Sequence, residues 1–231
     1  MKNGLLSVAG LMMLPLATSA CVRDAQIAVP ATLAASTEQI VLAGMGGSDR
    51  GSFRLGASEG HFTRAADRYG DDFATFNSGG GTFSVTGPET GAISAECAFD
   101  QSDAEIGIAT LPVERFLYRC RFQEGGRPID ASLVLEEAPR SPRRLLSQVS
   151  RAGTLHFGGR IYGIRAIHEF QGGSLLSGTP LGYSFDTDGR AIGAVDLNGL
   201  DKTIYTPRGG AERQAVLIGS LALSILWDPG D

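Results

Sequence analysis

The chain has 231 residues, 25 acidic against 20 basic side chains, and a formal charge of −5. That balance argues against bulk nucleic-acid binding, which relies on a basic surface, and the length suits one sizeable domain or two small ones. Its 32 glycines follow no collagen-like period; scattered among short apolar runs, they point to a turn-rich β protein.

The first residues, Met1-Lys2-Asn3, form a short positive start, and an apolar stretch from Leu5 to Leu16 follows, broken by Pro15. A helix needs roughly 20 apolar residues to cross a bilayer core. The stretch is too short for that and reads as the core of an export signal covering residues 1–20. Small residues, Ala17-Thr18-Ser19-Ala20, then lead into Cys21. Ser19-Ala20-Cys21 resembles the processing site of a bacterial lipoprotein, with Thr18 where leucine is usual. The resemblance implies a mature chain beginning at Cys21, acylated there with palmitate-type chains. With Val22 and not aspartate next, it implies an outer-membrane address facing the periplasm. Attachment through several acyl chains meets the requirement for stable anchoring. The alternative is plain cleavage after Ala20 and release as a soluble periplasmic or secreted protein. Residues 21–38 are rich in Ala, Thr, Ser and Pro and read as a flexible tether, which leaves 39–231 as the domain.

From Gln39 onward, strand-like runs recur. In the first half they are Ile40–Ala43, Ser52–Leu55, His61–Ala66, Phe73–Phe76, Gly81–Thr86, Ala92–Phe99 and Glu105–Thr110. In the second half they are Phe116–Gln123, Ile129–Glu136, Thr154–Phe157, Ile161–Phe170, Leu181–Phe185, Ala191–Leu197 and Thr203–Tyr205. Gly79-Gly80-Gly81, Gly125-Gly126, Gly158-Gly159, Asp188-Gly189 and Asn198-Gly199 read as the turns between them; Asp-Gly and Asn-Gly tolerate the positive φ of tight hairpins. Roughly a dozen strands at this spacing mean one all-β barrel or sandwich. Cys97 and Cys120 fall on the apolar faces of alternating segments (Ile93, Ala95, Cys97, Phe99; Phe116, Tyr118, Cys120, Phe122). In an oxidising compartment they are expected to form a disulfide once Cys21 is used by the anchor. The alternative is two buried free thiols on different core strands.

Two segments break the β pattern. Residues 138–151 carry Arg140, Arg143, Arg144 and Arg151, with Leu145, Leu146 and Val149 at helical spacing after Pro142. They read as a solvated connection with a short helix. Residues 211–227 begin with polar Glu212, Arg213 and Gln214 and then turn apolar on nearly every side up to Trp227, apart from Ser220 and Ser224. Such a helix must be enclosed, and it too is short for a bilayer span. In a chain of strands, a sheet closed around the helix encloses it. The expected fold is mainly β: a closed barrel of roughly twelve strands around a buried hydrophobic C-terminal helix. A β-sandwich or a lipocalin-like barrel is the alternative.

From Gly153 to Trp227 the order of elements (GTLHFGGRIYGIRAIHEF, PLGYSFDTDGRAIGAVDLNG, DKTIYTP, then the helix) resembles the superfamily of the Tubby C-terminal domain, the phospholipid scramblases and the LURP-one proteins. That resemblance of layout implies a binding role toward phospholipid headgroups or proteins.

No catalytic pattern competes with that role. Zinc needs three or four convergent ligands, and His61, His156 and His168 show no such spacing; His168 reads as a core-edge histidine and His156 as facing away from its apolar neighbours. Asp186-Thr187-Asp188-Gly189 lacks the later acids of a calcium loop and reads as a hairpin turn. A nucleophile elbow and a P-loop lysine are both missing from the sequence. No cofactor and no metal is expected. The sequence reading is a non-enzymatic, lipid-anchored module at the cell envelope, held to the membrane by its anchor, with a lipid or protein ligand and no nucleic acid. A lipocalin-type small-molecule carrier and a cryptic hydrolase are the alternatives.

Overall fold

The computed structural model describes residues 26–70, 74–106, 109–138, 149–173 and 176–227. The signal segment, Cys21 and most of the 138–151 connection lie outside the described residues.

Twelve strands run in chain order: β1 (Glu38–Ala43), β2 (Arg50–Leu55), β3 (Ser58–Gly70), β4 (Ala74–Gly87), β5 (Gly91–Ile106), β6 (Ala109–Glu124), β7 (Arg127–Glu137), β8 (Arg151–Phe157), β9 (Arg160–Ile167), β10 (Gly182–Thr187), β11 (Arg190–Asp196) and β12 (Lys202–Thr206). Each pairs antiparallel with its sequence neighbours, and β1 pairs with β12, Glu38 opposite Thr206, so the barrel is closed. The cause is period-2 alternation. In β7, for example, Ala131, Leu133 and Leu135 point inward. Closure leaves every strand of the barrel wall with two partners and removes the exposed edges of an open sheet.

The helix α2 (Ala211–Ser224) fills the interior, and every residue from Ala215 to Ser224 is buried. Full burial of each leucine or isoleucine here contributes roughly 1.5–3 kcal/mol. Contact on several sides explains the burial. Gly219 lies so close to β10 that a Cβ there would stand 2.6 Å from the Phe185 ring, and Gly193 of β11 lies as closely against Val216. Tyr118 of β6 donates its hydroxyl to the Ala222 carbonyl at 2.6 Å, and burial pushes its pKa well above the usual tyrosine range. At the start of the helix, Arg213 is gripped by Glu89 (2.6 Å) and Glu38, while Gln214 donates to the Thr90 carbonyl. Burial opposes the Arg213 charge, but the two carboxylates outweigh it and raise its pKa.

Three sequence expectations are corrected. Gly79-Gly80-Gly81 is not a turn: it lies inside β4, which runs unbroken through it. A Cβ on Gly80 would sit 2.3 Å from the Cys97 carbonyl oxygen, so glycine serves close approach of strands here. The run Glu105–Thr110 is not one strand: β5 ends at Ile106, and β6, antiparallel to it, begins at Ala109. Residues 26–37 are not a flexible tether. Ile27 and Leu33 are buried with Leu181, Ala194 and Tyr205 on the outside of the barrel, Leu33 being the buried residue of α1 (Ala31–Ser36), and the Ile27 N–H donates to Asp196 at 3.0 Å. Two apolar anchors and one buried acceptor hold a segment whose average composition is that of a linker.

The barrel ends differ. Around the start of α2 lie the short turns at 56–57, 88–90, 125–126, 158–159 and 188–189. Asp188 and Gly189 there take positive φ (51° and 76°), as the Asp-Gly hairpin requires. Around the end of α2 lie the connections 44–49, 168–181 and 197–201 and those leading out of β3, β5 and β7. On this side β3 continues past its last partner in β2, Thr63 opposite Arg50, to Gly70. Similarly, β6 begins at Ala109, before its first partner in β7 at Leu117. Four strands thus extend beyond the rim as a wing of about 20 Å, at roughly 3.3 Å per residue.

Candidate functional site

Connecting segments carry binding chemistry more often than the scaffold does, and the longer connections of this barrel lie at its irregular end. A cavity of about 290 Å3 opens where α2 ends, with Arg64, Lys202, Asn198, Thr179, Tyr183 and Trp227 in its wall.

Arg64 is its centre. It is the first β3 residue past the β2 pairing, so its side chain turns in at the rim. Its guanidinium donates to the carbonyls of Ser48 (2.9 Å), Gly46 (2.7 Å) and Ser224 (3.3 Å). It also lies between the rings of Phe62, 5.4 Å away, and Trp227, 5.0 Å away. Burial lowers its pKa, opposed by Asp49. A cation at the C-terminal end of a helix meets the negative end of the helix dipole. Arg64 therefore ties the plug to the β1–β2 connection and holds the sole tryptophan of the chain at the mouth. Lys202 donates to the carbonyls of Leu197 (2.8 Å) and Gly199 (2.6 Å) across the turn between β11 and β12.

Asp196 sits beside this turn and is buried. It accepts from the N–H of Ile27 and from the N–H and side-chain amide of Asn198, each at 3.0 Å. Burial raises its pKa against these hydrogen bonds and the nearby Lys202.

The residues singled out in the sequence do not converge. His168 is buried beside the 168–181 connection, its Nδ1 3.1 Å from the Ser177 carbonyl, as expected of a core-edge histidine. His156 is exposed on β8. His61 is exposed on the outer wall, its Nδ1 3.0 Å from Ser52 Oγ across β2 and β3; among the described residues no hydrogen bond joins it to a carboxylate. The described residues hold no cluster of three metal-ligating side chains. Arg151 departs from the solvated reading. It is buried at 2 % exposure with its guanidinium 3.8 Å from the centre of the Phe116 ring, and the other three arginines of that connection lie outside the described residues. Cys97 and Cys120 face one another in the β5–β6 register at disulfide distance, their Cα atoms 4.0 Å apart. They stiffen the base of the wing and take no part in the mouth.

Sequence reasoning missed Arg64, Lys202 and Trp227 as a group. The available signals were the single tryptophan and the scarcity of lysine, with Lys2 and Lys202 the only two; neither tells which residues the barrel brings together.

The fold and mouth define a closed antiparallel barrel plugged by its own C-terminal helix. Comparison with protein-family models, with curated proteins and with solved structures finds no match to the chain.

Proposed function

We propose that this chain is an exported, lipid-anchored envelope protein that acts as a non-enzymatic binding module for a lipid or a protein. The observation that carries this reading is the filled interior. A lipocalin-type carrier keeps an open cavity inside its barrel, whereas here the plug occupies the interior, with Ala215 to Ser224 buried. A ligand is therefore met at the surface, and the Arg64–Trp227 mouth, where the plug ends, is a concave part where charge and an indole ring stand together. The twelve-strand barrel around an apolar C-terminal helix resembles the layout of the Tubby, scramblase and LURP-one superfamily, which fits a binding role. The leader ending in Ser19-Ala20-Cys21 supports export and acylation.

Expression of the full chain in a double-membraned bacterium, followed by intact-mass analysis of the mature protein, tests this. The expected product begins at Cys21 and carries acyl chains. Its Cys97 and Cys120 resist alkylation until a reductant is added. A Cys21→Ala chain is expected to leave the membrane fraction. A mature wild-type protein without acyl mass overturns the anchor, and two thiols alkylated without reductant overturn the disulfide.

A further inference from the structure

Among the described residues, six of the eight large exposed apolar side chains lie at one end of the barrel. Tyr69, Phe76, Val149, Leu176, Leu200 and Trp227 are exposed, and all six lie at the end of the barrel where α2 finishes, on the wing, on the last residues or in the connections of that rim. The other two are Val41, on the outer wall in β1, and Ile161, near a turn at the opposite end. Tyr69 and Phe76 stack on one another across β3 and β4, ring centroids 5.3 Å apart, on the outer face of the wing at 61 % and 41 % exposure. A stacked aromatic pair left in solvent has no role in the packing of the barrel, and clustered exposed apolar groups mark an interaction surface. Tyr and Trp favour the boundary between water and lipid, where the ring is buried and the polar tip stays wet.

The start of the described chain selects the partner. The N–H of Gln171 donates to the Gln26 carbonyl, that of Ala28 donates to Glu169, and Ile27 bridges Phe170. Residue 26 therefore leaves the molecule at the 168–171 segment, on the same rim. Between it and Cys21 stand only Val22, Arg23, Asp24 and Ala25, a reach of at most about 18 Å at full extension. The wing projects past the rim by a similar distance of about 20 Å. An anchor this short holds this end of the barrel toward the lipid and allows the wing to touch it.

We propose that this end is a bilayer-docking face, with the Tyr69–Phe76 pair and Trp227 seated in the headgroup layer of the membrane that holds Cys21. The proposal rests on the anchored reading above and adds to it an orientation and a contact surface. The plug's exposed end then faces lipid, and the short-turn end faces away.

Trp227 is the only tryptophan, so it reports this contact without labelling. The purified mature chain, its acylation established by mass, is reconstituted into phosphatidylethanolamine–phosphatidylglycerol vesicles, with and without lipids brominated near the top of the acyl chain. Blue-shifted Trp227 emission, quenching by the brominated lipid and loss of quenching by aqueous iodide are expected. Tyr69→Ser with Phe76→Ser should reduce the bromine quenching and leave the melting temperature unchanged, since both side chains are exposed. An acylated chain in the vesicles whose Trp227 stays open to iodide and untouched by bromine overturns the docking face while leaving the anchor intact. The same result overturns it if this rim captures a protein instead. If mass analysis finds no acyl chain, the unmodified chain is put on the same vesicles. Bromine quenching then upholds the face without the anchor, and its absence overturns the face as well.

Discussion

Asp196 receives three hydrogen bonds in a buried position and joins pieces far apart in sequence: the incoming segment at Ile27 and the turn at Asn198. Its carboxyl pKa is raised, with burial the first cause. A carboxyl group whose pKa is higher in the folded state favours folding while protonated. That advantage is lost as pH climbs from the unfolded value, about 4, through the raised folded one. The melting temperature of the wild type relative to Asp196→Asn is therefore expected to fall over that window and level off above it. A relative melting temperature that rises across the window would show that the hydrogen bonds to the carboxylate outweigh its desolvation. Thermal melts of both proteins from acid to neutral pH decide between the two.

Among the elements, β4 shows how glycine can carry close packing in place of a turn. At Gly80 any side chain meets the Cys97 backbone, so Gly80→Val is expected to destabilise by about 1–3 kcal/mol through overpacking, several degrees in melting temperature at this chain length. Gly209→Ala has open space and no positive φ, and is expected to be silent. Equal melting temperatures for Gly80→Val and wild type would refute the close-packing account. The same strand marks what sequence makes legible. Alternation exposed most of the wall strands, because inward burial repeats every second residue. The uniformly apolar stretch after Gln214 identified the plug, because a helix with no polar face has to be enclosed. Gly79-Gly80-Gly81 misled, since a glycine run is the same string whether it turns the chain or lets strands crowd. The docked segment at Ile27 and Leu33 was hidden because its two anchors are diluted by alanine, serine and threonine. The Arg64–Trp227 contact was illegible for a different reason: it exists only once β3 and the end of α2 meet at the same rim.

At the scale of the molecule, wall and plug depend on one another. Leu221 is fully buried in the plug, and an unpaired carboxylate there would cost several kcal/mol. That is a large part of the 5–15 kcal/mol that typically holds a domain folded. Leu221→Asp is expected to give no cooperative melt and a circular dichroism spectrum without the native β signal; a native-like melt would mean that the helix is not enclosed.

The seam between β1 and β12 adds a constraint of timing. The first strand pairs with β2 early but finds its second partner only in residues 202–206, and the plug follows at 211–224. Whether the chain emerges from a ribosome or passes N-terminus first through a narrow pore, most of its strands arrive before anything can close or fill the barrel. Contacts between such distant parts of the chain form slowly, and unfinished sheets are exposed to misassembly meanwhile. Closing the wall and filling it are therefore the last events along the chain, and both wait for residues 202–224.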